Sequence, residues 1–193
     1  MSNNMPKKKI VFSYNAPVVL TFALLSLIVF GISVITGGKS TTLLFSVYRS
    51  KFSFWAILRM FLHVMGHGSM AHYTGNMMLF LLLGPVLEEK YGSKRLLLMM
   101  AIVAFVSGLV NIIFFPTTAL LGASGLVFMM IVLVSAVGMK DGEIPITMIL
   151  IILIYIGSEI WTMITAHDNI SQLTHIIGGI CGAIFGYEFK KGQ

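Results

Sequence analysis

Apolar residues run through this chain in long stretches separated by short polar segments. The stretches fall at about 17–36, 72–87, 94–115, 122–139, 144–166 and 173–189. A helix rises 1.5 Å per residue, so about 20 apolar residues cross the hydrocarbon core of a bilayer. The pattern predicts six transmembrane helices. Several of these runs are short or rich in Gly and polar residues. Such helices must be shielded by protein or line a wet cavity. The first run follows Lys7-Lys8-Lys9, and no small-x-small cleavage site follows it. It is expected to span rather than to serve as a signal peptide. With no internal repeat and no low-complexity tract, the expected organisation is a short basic tail, residues 1–16, and one membrane domain, residues 17–193.

The connecting segments set the orientation. If the N-terminus is cytoplasmic, the cytoplasmic segments carry Lys7, Lys8, Lys9, Lys90, Lys94, Arg95, Lys140, Lys190 and Lys191, nine of the 13 basic residues. The connections at about 116–121 and 167–172 carry none. Both termini are therefore expected on the cytoplasmic side. The first connection, about 37–71, is the discordant one, with Lys39, Arg49, Lys51 and Arg59. It is also apolar, with Phe45, Tyr48, Phe52, Phe54, Trp55 and Phe61 among the cations. It is expected to lie partly embedded in the outer interface, aromatics down and cations out.

Composition agrees with the pattern. Apolar residues make up 57% of the chain and charged residues 10%, and the mean hydropathy is +0.93. Soluble domains run near ~45–50% and ~25% respectively. This excludes a soluble, a disordered and a nucleic-acid-binding protein. The net charge of +6 comes from short inter-helix segments and the chain ends, with no basic stripe of interleaved aromatics, so no nucleic-acid partner is expected. Cys181 is the single cysteine, which precludes an intramolecular disulfide, and it reads as a small packing residue.

Polar groups in hydrocarbon are costly and mark candidate sites. Three clusters stand out. The first is His63, His67, His72 and Asn76, spaced H-x3-H-x4-H-x3-N. His72 and Asn76 share a helical face at the start of the second helix, where both can donate hydrogen bonds to an anion while neutral. His63 and His67 are expected to pack in the loop above them. A zinc site would need further ligands, yet no Cys, Asp or Glu accompanies the histidines, and H-E-x-x-H is absent. The second cluster is Gly122-Ala123-Ser124-Gly125, opening the fourth helix. A serine there is either a plain N-cap or a nucleophile beside unpaired backbone N–H donors. The third is His175, one turn before Gly178, Gly182 and Gly186. Glycines four apart form a small-xxx-small seam for close helix packing. If the neighbour across that seam is the fourth helix, His175 meets Ser124. Glu159 and Trp161 lie toward the outer end of the fifth run; Trp161 reads as an interface anchor, and Glu159 either as a carboxylate at the interface or bonded to a neighbouring helix, or as a part of gating or substrate selection.

These clusters, in this order and on these helices, resemble the rhomboid intramembrane serine proteases over about residues 55–189. The segment Gly84-Pro-Val-Leu-Glu88-x3-Gly92 adds a fourth element. The resemblance implies a six-helix all-α bundle of the compact bacterial form, expected in a bacterial plasma membrane. It implies Ser124 as nucleophile and His175 as general base. His72, Asn76 and the Ser124 backbone N–H are the implied oxyanion donors. Gly178 and Gly182 are implied as packing glycines, His67 as a packing residue near the site, and Glu88 as a structural carboxylate. Phe128 stands where relatives often have a Tyr that stacks on the catalytic histidine. Thr174 stands where they often have a smaller residue. The adjacent Trp-Arg pair common in the first loop is absent, with Trp55 and Arg59 as possible substitutes.

The implied activity is hydrolysis of peptide bonds in or near transmembrane segments by a Ser-His dyad, with no metal or other cofactor. The implied partners are transmembrane protein substrates, reaching the site sideways past the second and fifth helices. Two other classes compete: a catalytically silent rhomboid-like protein that binds transmembrane clients, and a solute transporter built on the histidines. An intact Ser124 and His175 argue against the first. The second lacks an inverted repeat and an acidic ion pathway.

Overall fold

The computed structural model describes residues 13–137, 143–165 and 170–189, with side chains throughout except at 155, 156, 158–160, 162–165, 170 and 171. The basic tail through residue 12, Lys140, Asp168, Lys190, Lys191 and the side chain of Glu159 lie outside the described residues.

Among the described residues the chain is helical. The order is α1 (Pro17–Ile35), α2 (Lys39–Leu44), α3 (Phe54–Leu62), α4 (Met70–Tyr91), α5 (Ser93–Phe114), α6 (Ser124–Ser135), α7 (Ile146–Thr165) and α8 (Ile170–Glu188). Each apolar run has become a helix. Among the described residues, α1, α4 and α5 are long and apolar enough to cross a membrane. The fourth run differs from expectation. Its helix, α6, has 12 residues rather than the length of the 122–139 run, and ends in a turn at Ala136 and Val137. At 1.5 Å per residue it rises about 18 Å, short of a bilayer core of about 30 Å.

That short helix is the centre of the molecule. Leu126, Val127, Met129, Met130, Ile131, Val132 and Leu133 are all buried, so α6 is covered on every side. It packs on α4, α5, α7 and α8, while α1 packs against α4 and α5. The α6–α8 contact is the closest, and it runs along the glycine seam of α8. A Cβ on Gly178 would fall on the Gly125 carbonyl oxygen, and one on Gly182 would lie 2.5 Å from the Met129 carbonyl oxygen. Backbones approach this closely only where side chains are absent.

The opposite end of the bundle is tied by Glu88. Pro17 opens α1, and Ala16 supplies no side-chain cap for the unpaired N–H groups of the first turn. Glu88, from the last turn of α4, accepts them instead: Val18 N–H at 2.9 Å and Val19 N–H at 3.0 Å. The Ser93 hydroxyl donates to the same carboxylate at 2.6 Å. Gly92, at φ +81°, makes the reversal between α4 and α5 that brings Ser93 there. The helix positive end and the carboxylate attract each other as well.

The first connection is partly an interface element and partly a buttress. Phe52, Phe54, Trp55 and Phe61 are exposed, as an embedded aromatic surface requires, and Lys39, Arg49 and Lys51 are exposed too. Arg59 corrects the expectation that every cation there faces out. It is 8% exposed. Its guanidinium donates to Tyr48 OH and Ser50 Oγ, each at 2.7 Å, and lies over the Tyr48 ring. Burying a cation is costly unless it is hydrogen-bonded; Tyr48, Ser50 and the Leu43 carbonyl at 3.5 Å supply acceptors to its two terminal nitrogens, while Nε has no partner among the described residues.

Candidate active site

Ser69 caps α4: its hydroxyl accepts from the His72 N–H at 3.1 Å. This starts the helix so that His72 and Asn76 fall one turn apart on one face. That face looks toward the start of α6. The loop into α6 ends in Ala123, so Ser124 is the first helical residue, with first-turn N–H groups that have no intrahelical acceptor.

A cavity of about 440 Å³ brings the three predicted clusters together. It is lined by His72, Asn76, Ser124, Phe128 and His175, with Gly75, Leu79, Val127 and three further apolar residues. His72 and Asn76 come from α4, Ser124 and Phe128 from α6, and His175 from α8. The neighbour that the glycine seam brings to His175 is therefore α6. The Phe128 ring lies flat on the His175 imidazole, centroids 4.1 Å apart and planes 5° apart. Phe128 thus fills the stacking position without a hydroxyl.

The donors converge on the chain just before Ser124. Gly122 has φ +116°, and a Cβ there would lie 2.6 Å from His72 Nε2 and 3.8 Å from Asn76 Nδ2. The Asn76 amide nitrogen is buried and donates no hydrogen bond among the described residues. An unsatisfied buried donor is costly, so this one is poised for an acceptor placed in the cavity. Such an acceptor would sit between two side-chain donors and the N-terminal N–H groups of α6.

The first connection holds this loop in place. Val47 and Leu120 exchange two backbone hydrogen bonds, both at 2.9 Å, and the Gly122 N–H donates to the His63 carbonyl at 2.9 Å. Asn111, buried on α5, donates from Nδ2 to the carbonyls of Val47 at 3.1 Å and Thr118 at 3.0 Å. Sequence reasoning misses Asn111 as a support of this loop. Asn111 had a signal, an amide inside an apolar run, but of its two carbonyl partners only Thr118 is near in sequence and Val47 lies 64 residues away.

His63 and His67 are each 1% exposed. His63 Nε2 pairs with the Ala104 carbonyl at 3.0 Å, and His67 Nδ1 with the Met65 carbonyl at 3.2 Å. Burial pushes both imidazoles down from 6.5 to about 4, so both are neutral at pH 7. His67 meets the His72 ring edge to face at 5.0 Å and so fixes its orientation. Trp55 is exposed, edge-on to Phe54, and Arg59 alone of that pair turns inward. Glu88 is at the other end of α4, about 24 Å from His72 by helix rise.

Among known families, the model described as the rhomboid domain matches residues 54–191. No curated protein matches the chain.

Proposed function

As the chain belongs to the rhomboid family of membrane proteins, we propose that it is an active intramembrane serine endopeptidase. The observation that carries this reading is the convergence of Ser124, His175, His72 and Asn76 on one cavity.

In the proposed mechanism Ser124 Oγ attacks the scissile carbonyl. A serine hydroxyl is weak at its own pKa and needs an adjacent base. His175 takes the proton and returns it to the leaving amine, so the ester of Ser124 forms as the C–N bond breaks. Water then attacks the ester, again through His175, and frees Ser124 with the new carboxylate. The oxyanion of each tetrahedral intermediate is held by His72 Nε2, Asn76 Nδ2 and the Ser124 N–H. Loss of one such donor typically lowers kcat by ~10²–10³. Phe128 keeps the imidazole plane from rotating, and no carboxylate is assigned as a third member. The site is proposed to work without a metal or other cofactor.

The proposed topology is six spans with both termini cytoplasmic, in a bacterial plasma membrane. Residues 1–16 form a tail and residues 17–193 the protease domain. The N-terminal ends of α4 and α6 then face the outer side, with Ser124 below the membrane surface. The short α6 supports this, since a central helix that starts within the bilayer leaves room above it for water. The proposed substrates are transmembrane proteins with a helix that unwinds near its outer end, reaching the cavity between α4 and α7.

The test is labelling of the detergent-solubilised protein by a fluorophosphonate in the presence of EDTA. Wild type is expected to label, and Ser124→Ala and His175→Ala are not. Equal labelling of wild type and Ser124→Ala overturns the assignment of the nucleophile. Absent labelling in all three, beside a rhomboid that does label, transfers the reading to a client-binding protein.

A further inference from the structure

Away from that cavity, a second space opens between α1 and α5. Its lower part, about 340 Å³, is lined by Pro17, Val18, Phe22 and Leu25 of α1 and by Leu97 and Met100 of α5, among others. A further part, about 190 Å³, continues beneath α3 past Phe61 and Leu62 to Ala104. The two share Phe22, Met65, Leu97 and Met100, so they form one slot. From Ser93 to Ala104 it follows α5 for about 16 Å.

The walls say what fits. Two polar side chains on the lower wall are already engaged: Thr21 Oγ1 pairs with Tyr14 OH at 3.0 Å, and the Ser93 hydroxyl donates to Glu88. The slot therefore offers an apolar, elongated occupant a dry surface and offers a polar one little. A helix is about 10–12 Å across with its side chains and needs far more volume than this slot has. One hydrocarbon chain matches both its length and its narrowness, and close contact along the wall supplies dispersion attraction that a void forfeits.

The mouth says which lipid. Lys94 is exposed and lies on the same stripe of α5 as Leu97 and Ala101, three and seven residues on, both of which line the slot. Arg95 turns to the other side, over the Phe189 ring. The Glu88 carboxylate near the mouth is covered by its three donors, and Glu89 is exposed on α4. We propose that the α1–α5 slot binds one acyl chain of an anionic phospholipid whose headgroup phosphate sits at Lys94.

The occupant would touch the support of the catalytic end. Met65, where the two parts of the slot meet, accepts the Ser26 hydroxyl at 3.1 Å on its carbonyl, and that carbonyl also holds the His67 ring that meets His72. A filled slot buttresses this segment against α1.

The test uses the full chain in nanodiscs containing trace phosphatidylglycerol or phosphatidylcholine, each carrying a diazirine at mid-chain, with adducts mapped by mass spectrometry. Wild type is expected to collect adducts on residues 17–25 and 97–104 several-fold above the equally lipid-facing Ile28, Val34, Leu109 and Ile113. Phosphatidylglycerol is expected to label several-fold more than phosphatidylcholine. Leu97→Trp fills the slot and removes the concentration of adducts. Lys94→Gln removes the preference between the two lipids and leaves slot labelling in place. Even labelling over all lipid-facing positions in wild type overturns the proposal, whatever the variants do. Equal labelling by the two lipids overturns the headgroup assignment. Cross-links to a second copy, or to residues 1–12, in place of lipid adducts give the slot to protein. The readout is independent of whether Ser124 is a nucleophile.

Discussion

The Phe128 ring lies parallel to the His175 imidazole, with centroids 4.1 Å apart and planes tilted by 5°. The two residues come from different helices, so the stack joins α6 to α8 as it fixes the ring plane of the proposed base. Aromatic pairs of this kind are worth about 0.5–1.5 kcal/mol beyond their area. Phe128→Leu keeps the apolar volume and loses the flat surface. It is expected to lower kcat about tenfold on a transmembrane substrate with KM little changed. Phe128→Tyr keeps the stack and is expected to stay within about twofold of wild type. Equal losses in both variants would show that the ring serves packing and not alignment.

Gly122 faces two constraints at once. Its φ of +116° is one that side chains rarely adopt, and a Cβ would meet His72 Nε2 at 2.6 Å. Gly122→Ala is expected to push His72 off its position and lower kcat by about 10²-fold or more, comparable to loss of an oxyanion donor. Backbone strain at such a position costs on the order of 1–3 kcal/mol, so thermal unfolding should show a modest loss of stability as well. Retention of full activity would remove His72 from the oxyanion site.

Glu88 is the tie between α1 and α4, with both carboxylate oxygens used. Glu88→Gln leaves one acceptor oxygen and turns an amide N–H₂ toward backbone donors. A hydrogen bond to a charged group contributes roughly 1.5–3 kcal/mol, and the variant is expected to lose about that much stability. Folded protein at low temperature should still label at Ser124, because Glu88 is remote from the cavity. Unchanged thermal stability would deny it the capping role.

The buried histidines make stability pH-dependent. His63 Nδ1 and His67 Nε2 are buried without hydrogen-bond partners among the described residues, so a second proton on either ring would have no acceptor. Burial accordingly holds both near pKa 4, against 6.5 in the unfolded chain. The unfolded state therefore takes up protons that the folded state refuses. Stability is at its full value above pH 6.5 and is lost as pH falls toward 4, by up to about 1.4 kcal/mol per pH unit for each histidine. Melting temperature in detergent should fall steadily from pH 6.5 to 5, and His63→Asn should flatten the slope. A melting temperature constant over that range would contradict the buried, neutral state of both rings.

Much of the candidate site was legible because its signals are local. His72 and Asn76 are one turn apart, Ser124 sits among small residues at a helix start, and Gly178, Gly182 and Gly186 repeat every fourth residue. Each pattern follows from helical period and needs no knowledge of the partner. The same logic located the helices to within a few residues, since a run of apolar residues in a bilayer has little alternative to a helix.

What the sequence determined by itself was therefore where the helices lie, which of their faces carry polar groups, and which helix could approach another without side chains in the way. What the tertiary structure decided was which groups meet. It placed α6 across the seam from His175, cut that helix to 12 residues, turned Arg59 inward and set Glu88 on the first turn of α1. It also placed Asn111 and the His63 carbonyl on the loop before Ser124. Hydropathy could not reveal these, because lipid and protein neighbours are equally apolar and leave the same pattern in a helix. Most of the deciding contacts are hydrogen bonds and backbone approaches between residues tens of positions apart, and these exist only once the chain has closed around its centre.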